Sequence, residues 1–420
     1  MINDCFSHDE KRLLHFEAVD ILKSRLASIV TSSPQNLEKC SGKILAQDVI
    51  APRNIPAFNN SAMDGYAFCH GDYQERKGAF RVVARVAAGD NNPIEMTKNT
   101  VARIFTGAPM PMGADSVAMQ EDCELHSRDS HAFVNIPDGY KKGANVRLAG
   151  EDVKSGERLI ESGKRLRPQD IAAIASCGID SIEIFKPLKI ALASTGNEIV
   201  RPGKFLDPAL VYDANYFMLS SLLEKLPVKV DDLGILPDDR DGVETTLGKA
   251  ADTYDIVITS GGASLGEEDH ITSVLAQNGT RHLWQLAIKP GRPMCFGTLN
   301  DTIFFGLPGN PVASFVCFLL YIYPSLLVLG GSDWKEPRRI KIPSAINFKN
   351  KKPGRREFWR GFLEPDENGI NRLHKYDRDG SGLISGLRHA EGFIEIGEDV
   401  TQVEPDEMLE FIPFSQFGII

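Results

Sequence analysis

LKIALASTGNE, residues 188–198, is the stretch that indicates the architecture of the central part of this chain. Residues 188–193 form a near-continuous apolar run, as in a strand that is covered on both faces of its sheet. The polar turn STGNE, residues 194–198, follows directly. A buried strand that ends in such a turn is typical of α/β domains, which bind ligands at the carboxyl ends of their strands.

The same alternation continues to residue 330. Further strands are predicted at 228–235, 255–259 and 302–305, and helices at 210–226, 239–253, 269–277 and after Pro311. Alternating strands and helices predict a parallel sheet with helices on both faces. Residues 188–330 are therefore predicted to form a central α/β domain.

The flanking regions have a different composition. Short alternating segments among many Pro and Gly residues, such as FRVVARV at 80–86, predict a mostly β domain. The predicted fold class is thus multidomain α/β plus β. Its parts are an elongated linking region at 1–50 and 148–187, a mostly β domain at 51–147, the α/β domain at 188–330 and a small C-terminal β barrel at 331–420. The linking region has predicted helices at 9–30 and 168–176, and the first of them can pack on the α/β domain.

Charge and cysteine usage exclude several classes of protein. The chain of 420 residues has 47 Lys and Arg against 57 Asp and Glu, a net charge of −10, which argues against a nucleic-acid-binding face. Its seven cysteines are irregularly spaced and form no CxxC pair, so neither a disulfide framework nor a zinc site is expected. The pattern favours reduced thiols in a cytoplasmic protein.

One apolar run tests the expectation that the protein does not enter a membrane. Residues 312–329, VASFVCFLLYIYPSLLVL, have marginal spanning length, but Ser314, Pro324 and Ser325 interrupt them. A buried helix that breaks near Pro324 is the better interpretation. The N-terminus MINDCFSHDEKR is polar and does not resemble a signal peptide.

The turns after the predicted strands suggest a binding pocket for phosphate or another oxyanion. Glycines let backbone N–H groups approach an anion, and each following helix directs its positive end toward it. Carboxylates at the same rim can hold Mg²⁺, which prefers oxygen ligands. Ordinary capped loops are the alternative for any one turn. The side chains predicted at this rim are the hydroxyl donors Thr195, Ser260 and Ser264 and the carboxylates Glu198, Asp238 and Asp269.

A cationic turn and two acidic motifs complete the candidate site. In IKPGRP, residues 288–293, Lys289 and Arg292 bracket a rigid turn, which suits phosphate charge better than a solvated loop. Asp64 lies in NSAMDGYA, residues 60–67, and RLAGED, residues 147–152, places a cation and two carboxylates around a glycine. Considered alone, these two motifs favour a turn that Asp64 caps and a surface ion pair between Arg147 and Glu151. The sequence has no GxGxxG, P-loop or HExxH motif.

Eight motifs in order resemble one family, the molybdopterin molybdenumtransferases of the MoeA type, to which the gephyrin E domain is related. Their order and spacing cover nearly the whole chain, and together they are highly specific. They are NSAMDGYA (60–67), TGAPMP (106–111), RLAGED (147–152), STGNE (194–198), SGGASLGEEDH (260–270), IKPGRP (288–293), GLPGNPV (306–312) and GRREFWRG (354–361).

The resemblance implies an enzyme of molybdenum cofactor biosynthesis. Such enzymes bind adenylated molybdopterin, insert molybdenum from molybdate and release AMP with the help of Mg²⁺. They are elongated homodimers, whose pocket lies between the α/β domain of one subunit and the NSAMDGYA domain of the other. A molybdopterin adenylyltransferase would supply the substrate, and molybdoenzymes or their chaperones would accept the product. Neither nucleic acid nor a membrane is an expected partner.

The resemblance also assigns residues. It implies that Asp238 and Asp269 lie near Mg²⁺, and that Lys289 and Arg292 meet phosphate or molybdate charge. The implied catalytic carboxylates are Asp64, Asp152, Glu198, Asp238 and Asp269. The implied binding residues are Thr106, Arg147, Thr195, Gly196, Ser260, Gly261, Gly262, Ser264, Lys289, Arg292, Pro308, Gly309, Asn310 and Ser381.

Two positions depart from the family pattern: Gln285 stands where a lysine is common, and Asn197 where an aspartate is common. With one cation fewer, Lys289 and Arg292 would carry the oxyanion binding. Two other functions stay open, a nucleotide-pyrophosphate hydrolase on the same α/β domain and a non-enzymatic scaffold like gephyrin. The choice between molybdate and tungstate is open as well.

Overall fold

A computed structural model describes residues 12–76, 78–90, 94–236, 239–262, 270–380 and 382–419. The α-helices in this part of the chain are α1 (His15–Arg25), α2 (His70–Glu75), α3 (Pro168–Ser176), α4 (Ala214–Leu223), α5 (Arg240–Ala251), α6 (His270–Asn278), α7 (Pro311–Cys317), α8 (Tyr323–Leu329) and α9 (Ile384–His389).

The strands are β1 (Ser32–Asn36), β2 (Val49–Ile50), β3 (Asn60–Ser61), β4 (Gly65–Phe68), β5 (Phe80–Val86), β6 (Thr100–Ile104), β7 (Ser116–Met119), β8 (Glu124–Arg128), β9 (His131–Asn135), β10 (Val146–Arg147), β11 (Arg158–Ile160), β12 (Ser181–Phe185), β13 (Leu188–Thr195), β14 (Ile199–Val200), β15 (Val211–Tyr212), β16 (Val228–Leu236), β17 (Ile256–Ser260), β18 (Gly279–Trp284), β19 (Ile288–Lys289), β20 (Cys295–Leu299), β21 (Thr302–Leu307), β22 (Ile340–Pro343), β23 (Arg356–Pro365), β24 (Asn371–Lys375), β25 (Gly392–Ile396) and β26 (Met408–Pro413).

The central sheet has the strand order β16-β13-β17-β21-β20-β18. Its first four strands are parallel, as predicted. Along β13, Ile190 and Leu192 belong to one hydrophobic core and Ala191 and Ala193 to another, so helices cover both faces. The α/β class predicted for this region is confirmed.

The last two strand pairs at one edge of this sheet are antiparallel, which differs from the predicted parallel sheet. Strand β20 pairs antiparallel with β21, and β18 with β20. Only residues 300 and 301 connect β20 to β21, and Asn300 has a φ of 54°. A two-residue loop can join antiparallel strands only, since a parallel pair needs a long crossover.

The apolar run at 312–329 lies in a buried core helix. The helix Pro311–Leu329 is long and apolar enough to cross a membrane, with a mean hydropathy of 2.2, but 83% of its most apolar window is buried inside the protein. The predicted break near Pro324 is replaced by a π turn at Phe318–Ile322, after which α8 continues the helix. A π turn accommodates Pro324, which lacks the N–H that a regular helix needs.

Helix α1 packs against the α/β domain and the C-terminal region. Ala18, Val19 and Leu22 share a core with Leu188 of the central sheet. His15 Nδ1 lies 2.8 Å from the Tyr321 hydroxyl oxygen in the core helix. The helix is shorter than the predicted 9–30, and residues 1–11 lie outside the described part.

The N-terminal half contains a β sheet and a linking region. The six-stranded sheet has the order β7-β4-β6-β5-β9-β8, which confirms a mostly β fold there. In the linking region β1 pairs with β12 and β2 with β11. Strands β2, β11 and β12 share one small hydrophobic core with helix α3, which begins at Pro168 as predicted.

The C-terminal strands close into a small barrel. They follow the order β23-β25-β26-β22, and β24 pairs with the free side of β23. A bridge between Ser344 and Leu373 then joins the two ends of the sheet. Strand β19, which belongs to the predicted cationic turn, adds to β23 in parallel. This pairing attaches the turn of the α/β domain directly to the barrel.

Candidate active site

A polar cleft of about 590 Å³ lies at the carboxyl ends of the central parallel strands. Ser194 of β13 is in register with Ser260 of β17, which is in register with Leu307 of β21, so the turns after these strands meet. This is the edge of the sheet where the sequence predicted a pocket. The predicted residues that line the cleft are Thr195, Gly196, Glu198, Ser260, Gly261, Gly262, Pro308 and Gly309.

Glycine is required where the turn after β17 approaches β13. Gly261 has a φ of 98°, and a Cβ atom there would lie 2.5 Å from Thr195 Oγ1 and 2.8 Å from the Thr195 carbonyl oxygen. No larger side chain fits that space in that backbone conformation. The close approach gives a ligand access to backbone N–H groups of the turn.

Four polar residues of the cleft were not predicted from the sequence: Ser194, Tyr212, Asp213 and Asn215. Asn215 Nδ2 donates to Ser260 Oγ and to the Gly309 carbonyl oxygen, both at 2.7 Å, and so ties two turns together. Among the described residues, the buried Asn215 Oδ1 and Ser194 Oγ have no hydrogen-bond partner. Buried polar atoms without partners fit a cleft that binds a polar ligand.

The sequence signal for the start of α4 could have identified Asn215 as a residue of the cleft. Asp213 caps α4 by accepting a 3.0 Å hydrogen bond from the Tyr216 N–H, and the sequence Asp-Ala-Asn is a recognisable helix start. Ala214 and Pro311, the first residues of α4 and α7, both line the cleft. Two helices therefore direct their partially positive ends toward it.

A second cavity of about 350 Å³ adjoins the cleft and lies between the cationic turn and the barrel. The two cavities share Pro293, Pro308 and Gly309. The predicted residues Lys289, Arg292 and Asn310 line this second cavity, which we call the basic pocket. Its further cations are Arg355, Arg360 and Lys375.

The carboxylates near the basic pocket offset only part of its positive charge. Lys289 Nζ lies 3.6 Å from Glu357 Oε2, and Arg355 Nε lies 3.3 Å from Glu357 Oε1. Lys375 pairs with Asp379. Arg360 instead donates to backbone carbonyl oxygens, those of Leu383 and Arg378. More cations than carboxylates therefore line the pocket, which suits an oxyanion.

Sequence analysis did not assign the three barrel cations to the site. Arg355 and Arg360 lie in GRREFWRG, which was noted as a motif without a role, and Lys375 lies at the end of β24. Burial lowers the pKa of Arg360 from its usual value, yet a guanidinium stays charged at neutral pH. The pairing of β19 with β23 brings these side chains to the turn, and no local pattern reveals that pairing.

A third cluster forms around Asp64 in the N-terminal half. Asp64 Oδ1 accepts hydrogen bonds from the backbone N–H and the hydroxyl of Thr106, both at 2.8 Å. These bonds hold the pKa of the half-buried Asp64 carboxyl below its usual value. Strand β3 pairs with β10, which places Arg147 opposite Asn60. Segments of NSAMDGYA, TGAPMP and RLAGED thus meet.

The Asp64 cluster is separate from the two cavities within the described chain. Asp64, Thr106, Arg147 and Asp152 line neither cavity, and the described lining residues lie between Ser194 and Ile384. The anticipated Arg147–Glu151 ion pair does not form between these two described residues; Glu151 instead accepts a 2.8 Å hydrogen bond from the Leu148 N–H. One chain therefore presents two separate sets of candidate site residues.

Four predicted site residues, Asp238, Ser264, Asp269 and Ser381, lie outside the described residues. In the described part, no group of three or more His, Cys, Asp or Glu side chains is placed to hold a metal ion, and the cysteines described there are free thiols. Hydroxyl and carboxylate oxygens line the described part of the cleft, and oxygen is the ligand atom that Mg²⁺ prefers.

The fold and the paired cavities define a multidomain α/β protein with a cation-lined cavity between its α/β domain and a β barrel. Three family models match in order: "MoeA N-terminal region (domain I and II)" at 15–178, "Probable molybdopterin binding domain" at 191–327 and "MoeA C-terminal region (domain IV)" at 343–414.

Relatives agree with these matches. A molybdopterin molybdenumtransferase of Haemophilus influenzae is 38% identical over 90% of this chain and 93% of its own length. One of Nostoc sp. is 31% identical over 87% of each chain. A crystal structure of the molybdopterin biosynthesis MoeA protein of Pyrococcus horikoshii superposes with a TM-score of 0.80 at 28% identity, covering 96% of this chain and 99% of that one. This chain belongs to the MoeA family.

Proposed function

We propose that this chain is a molybdopterin molybdenumtransferase, which transfers molybdenum from molybdate to adenylated molybdopterin and releases AMP. The single observation that carries the proposal is the junction of the two cavities. The polar cleft offers N–H and hydroxyl donors for a pyrophosphate, and the adjoining basic pocket offers cations for a tetrahedral oxyanion. A substrate phosphate and molybdate can thus be held side by side.

The residues of the cleft would assist cleavage of the pyrophosphate. Cleavage adds one water across a P–O bond, which releases AMP and needs a group to accept a proton. Glu198 lines the cleft and is a candidate for that role. Thr195, Ser260 and the Gly261 turn would stabilise the charge on the phosphorus oxygens. Mg²⁺, when bound, would neutralise phosphate charge, with Asp238 and Asp269 as its proposed ligands.

A homodimer with shared sites would unite the two sets of residues. Asp64, Thr106, Arg147 and Asp152 would enter the cleft from the partner subunit. Large apolar side chains that are exposed in both regions support this, because exposed apolar surface often marks an interface. They are Phe205, Val211, Tyr212 and Phe217 in the α/β domain, and Phe58, Met63, Met112 and Leu148 in the N-terminal half.

The same proposal sets the partners of the reaction. A molybdopterin adenylyltransferase would supply the substrate, and molybdoenzymes or their chaperones would take the product. We place the reaction in the cytoplasm, with neither nucleic acid nor a membrane as a partner. The burial of the apolar helix Pro311–Leu329 and the net charge of −10 support this assignment.

A single-turnover assay tests the function. Purified protein is mixed with adenylated molybdopterin, Mg²⁺ and molybdate, and AMP is measured with and without molybdate. We expect AMP release that depends on molybdate. Release without that dependence would favour a pyrophosphate hydrolase, and tight binding without release would favour a scaffold. Asp64→Ala and Asp269→Ala should abolish turnover with the dimer intact, whereas the exposed carboxylate variant Glu124→Ala should not.

A further inference from the structure

Gln285 occupies an unusual position at the base of the cationic turn. Its side chain is buried, with the residue only 8% exposed, and its backbone has a φ of 60°. Left-handed backbone is uncommon for a residue with a long side chain, so the surrounding structure imposes it. The Gln285 carbonyl oxygen accepts a 3.1 Å hydrogen bond from the Leu13 N–H, which fixes this residue to the segment before α1.

Gln285 and Arg292 are the two ends of the turn, and they contact each other. The Leu286 N–H donates to the Arg292 carbonyl oxygen at 2.7 Å, which closes the turn through the backbone. Arg292 Nη2 then donates to Gln285 Oε1 at 3.1 Å. Arg292 lines the basic pocket. The amide of Gln285 therefore fixes the orientation of a guanidinium that faces the pocket.

Arg292 differs from the other cations near the basic pocket because the side chain to which it is bonded, Gln285, is uncharged. Lys289 and Arg355 both contact the Glu357 carboxylate, and Lys375 contacts Asp379. Arg292 has no carboxylate within 4.0 Å among the described residues, where its bonded side chain is an amide. An amide oxygen orients the cation without cancelling its charge, which a carboxylate would do.

We propose that Gln285 is a positioning residue for oxyanion binding, which acts by holding the Arg292 guanidinium toward the basic pocket with its full charge. This inference rests on the proposed function, because it requires that the pocket bind a tetrahedral oxyanion such as molybdate. It assigns Gln285 a role without contact to the ligand, since Gln285 does not line the pocket while Arg292 does.

Calorimetric titration of the full-length protein with sodium molybdate tests this role without requiring turnover. Because a hydrogen bond to a charged group is lost, Gln285→Leu should weaken molybdate binding about tenfold. Gln285→Glu keeps the shape and the hydrogen bond but adds a negative charge, so it should weaken binding further. The matched control is Gln277→Leu, which removes a surface glutamine bonded to Arg240 in the same domain and should leave binding unchanged.

A double-mutant cycle separates positioning from general loss of structure. If Gln285 acts through Arg292, then Gln285→Leu should cause no further loss of binding in a protein that already carries Arg292→Met. Equal losses in both backgrounds would overturn the inference, as would wild-type affinity in Gln285→Leu or in Gln285→Glu. Gln285→Glu has nearly the same volume as the wild type and covers the case in which Gln285→Leu does not fold. Absence of molybdate binding by the wild type would instead overturn the proposed function of the pocket.

Discussion

The cleft with its basic pocket and the Asp64 cluster differ in shape although both carry family motifs. The cleft is concave, and turns from three strands, two helix starts and the barrel enclose it. The Asp64 cluster lines neither cavity, and the half-buried Asp64 carboxylate accepts its hydrogen bonds from Thr106, with added electrostatic attraction from Arg103. One region is shaped to surround a ligand, and the other presents a fixed charge.

This difference suggests that the two regions have different functions: the cleft and the basic pocket bind the ligand, and the Asp64 cluster supplies a charged group. A concave site with N–H, hydroxyl and cationic groups can bind phosphate and oxyanion without help. A half-buried carboxylate on a turn cannot exclude water by itself. It becomes effective only where another surface covers it. The comparison therefore favours a site completed by a second subunit, and the following experiments test that division.

The largest effect is expected from combining variants of the two regions. Asp64→Ala and Glu198→Ala should each reduce AMP release more than about 100-fold, because each removes a charged group from the reacting centre. If the regions meet across a two-fold dimer, mixing the two variants should restore about a quarter of wild-type activity, since half of the dimers then have one intact site.

Subunit exchange must be verified in that mixture by mass spectrometry. Mixing Asp64→Ala with Asp64→Asn should restore nothing, because both variants lack the same group. If the exchanged mixture of Asp64→Ala and Glu198→Ala stays inactive, the shared site is wrong.

The next largest effect concerns the basic pocket alone. Arg360→Met removes a buried cation that lines it, so molybdate affinity should fall about 100-fold while the fold is retained. Arg372→Met is the matched control, because Arg372 lies on the same barrel and pairs with Asp366 and Asp406. Calorimetry measures both affinities. Equal affinity in the two variants would contradict the assignment of the pocket.

A smaller effect is expected at Thr106. Thr106→Val removes one of the two hydrogen bonds that stabilise the ionised Asp64, so the pKa of Asp64 should rise. A depressed carboxyl pKa means that the charged form is lost only at low pH. In the variant, activity should therefore fall at a higher pH on the acid side, with a turnover about tenfold lower at neutral pH.

The pH profile of Thr106→Val is compared with that of Thr106→Ser, which keeps the hydroxyl and should behave like the wild type. An unchanged acid limb in Thr106→Val would show that Asp64 does not depend on this contact.

The smallest effect at neutral pH is expected at His15, which is buried against the core helix. Burial lowers the pKa of His15 from 6.5 to about 4, against attraction from Glu395. Between pH 6.5 and pH 4, His15 is protonated in the unfolded chain but largely neutral in the folded protein. The free energy of unfolding of the wild type should therefore fall by about 3 kcal/mol as the pH falls from 6.5 to 4. His15→Gln should lack this contribution while keeping an acceptor for the Tyr321 hydroxyl.

Hydrogen exchange at pH 7 and pH 4.5 locates that effect. The wild type should lose protection in α1 and the core helix more than in the N-terminal β sheet, and His15→Gln should reduce the difference. Identical pH dependence in the two proteins would contradict a role for His15.

Much of the α/β domain could be predicted from local patterns. Strand β13 and its turn appear where the apolar run places them, as does helix α3 of the linking region, which begins at Pro168. The site at the strand ends follows from the same patterns, because parallel strands bring their following turns to one edge. The antiparallel edge was not predicted, since strand order depends on which segments meet in space.

The basic pocket shows the limit of local patterns. Arg360 and Lys375 are about 70 to 90 residues from Lys289 in the chain, and they reach it because β19 adds to β23. Nothing within residues 288–289 specifies that neighbour, since two residues are too few to carry a pairing signal. The role of Gln285 likewise became visible only as a contact with Arg292.

The sequence by itself determined the alternation of strands and helices, the glycine turns after the strands and the order of motifs that assigns the family, because these are properties of neighbouring residues. Only the tertiary structure decided that the cationic turn joins the barrel, that the core helix continues past Pro324 through a π turn, and that Asp64 stands apart from the cleft. The physical reason is that charge and burial at a site depend on which distant segments are packed together, and that choice is made by the core of the whole chain.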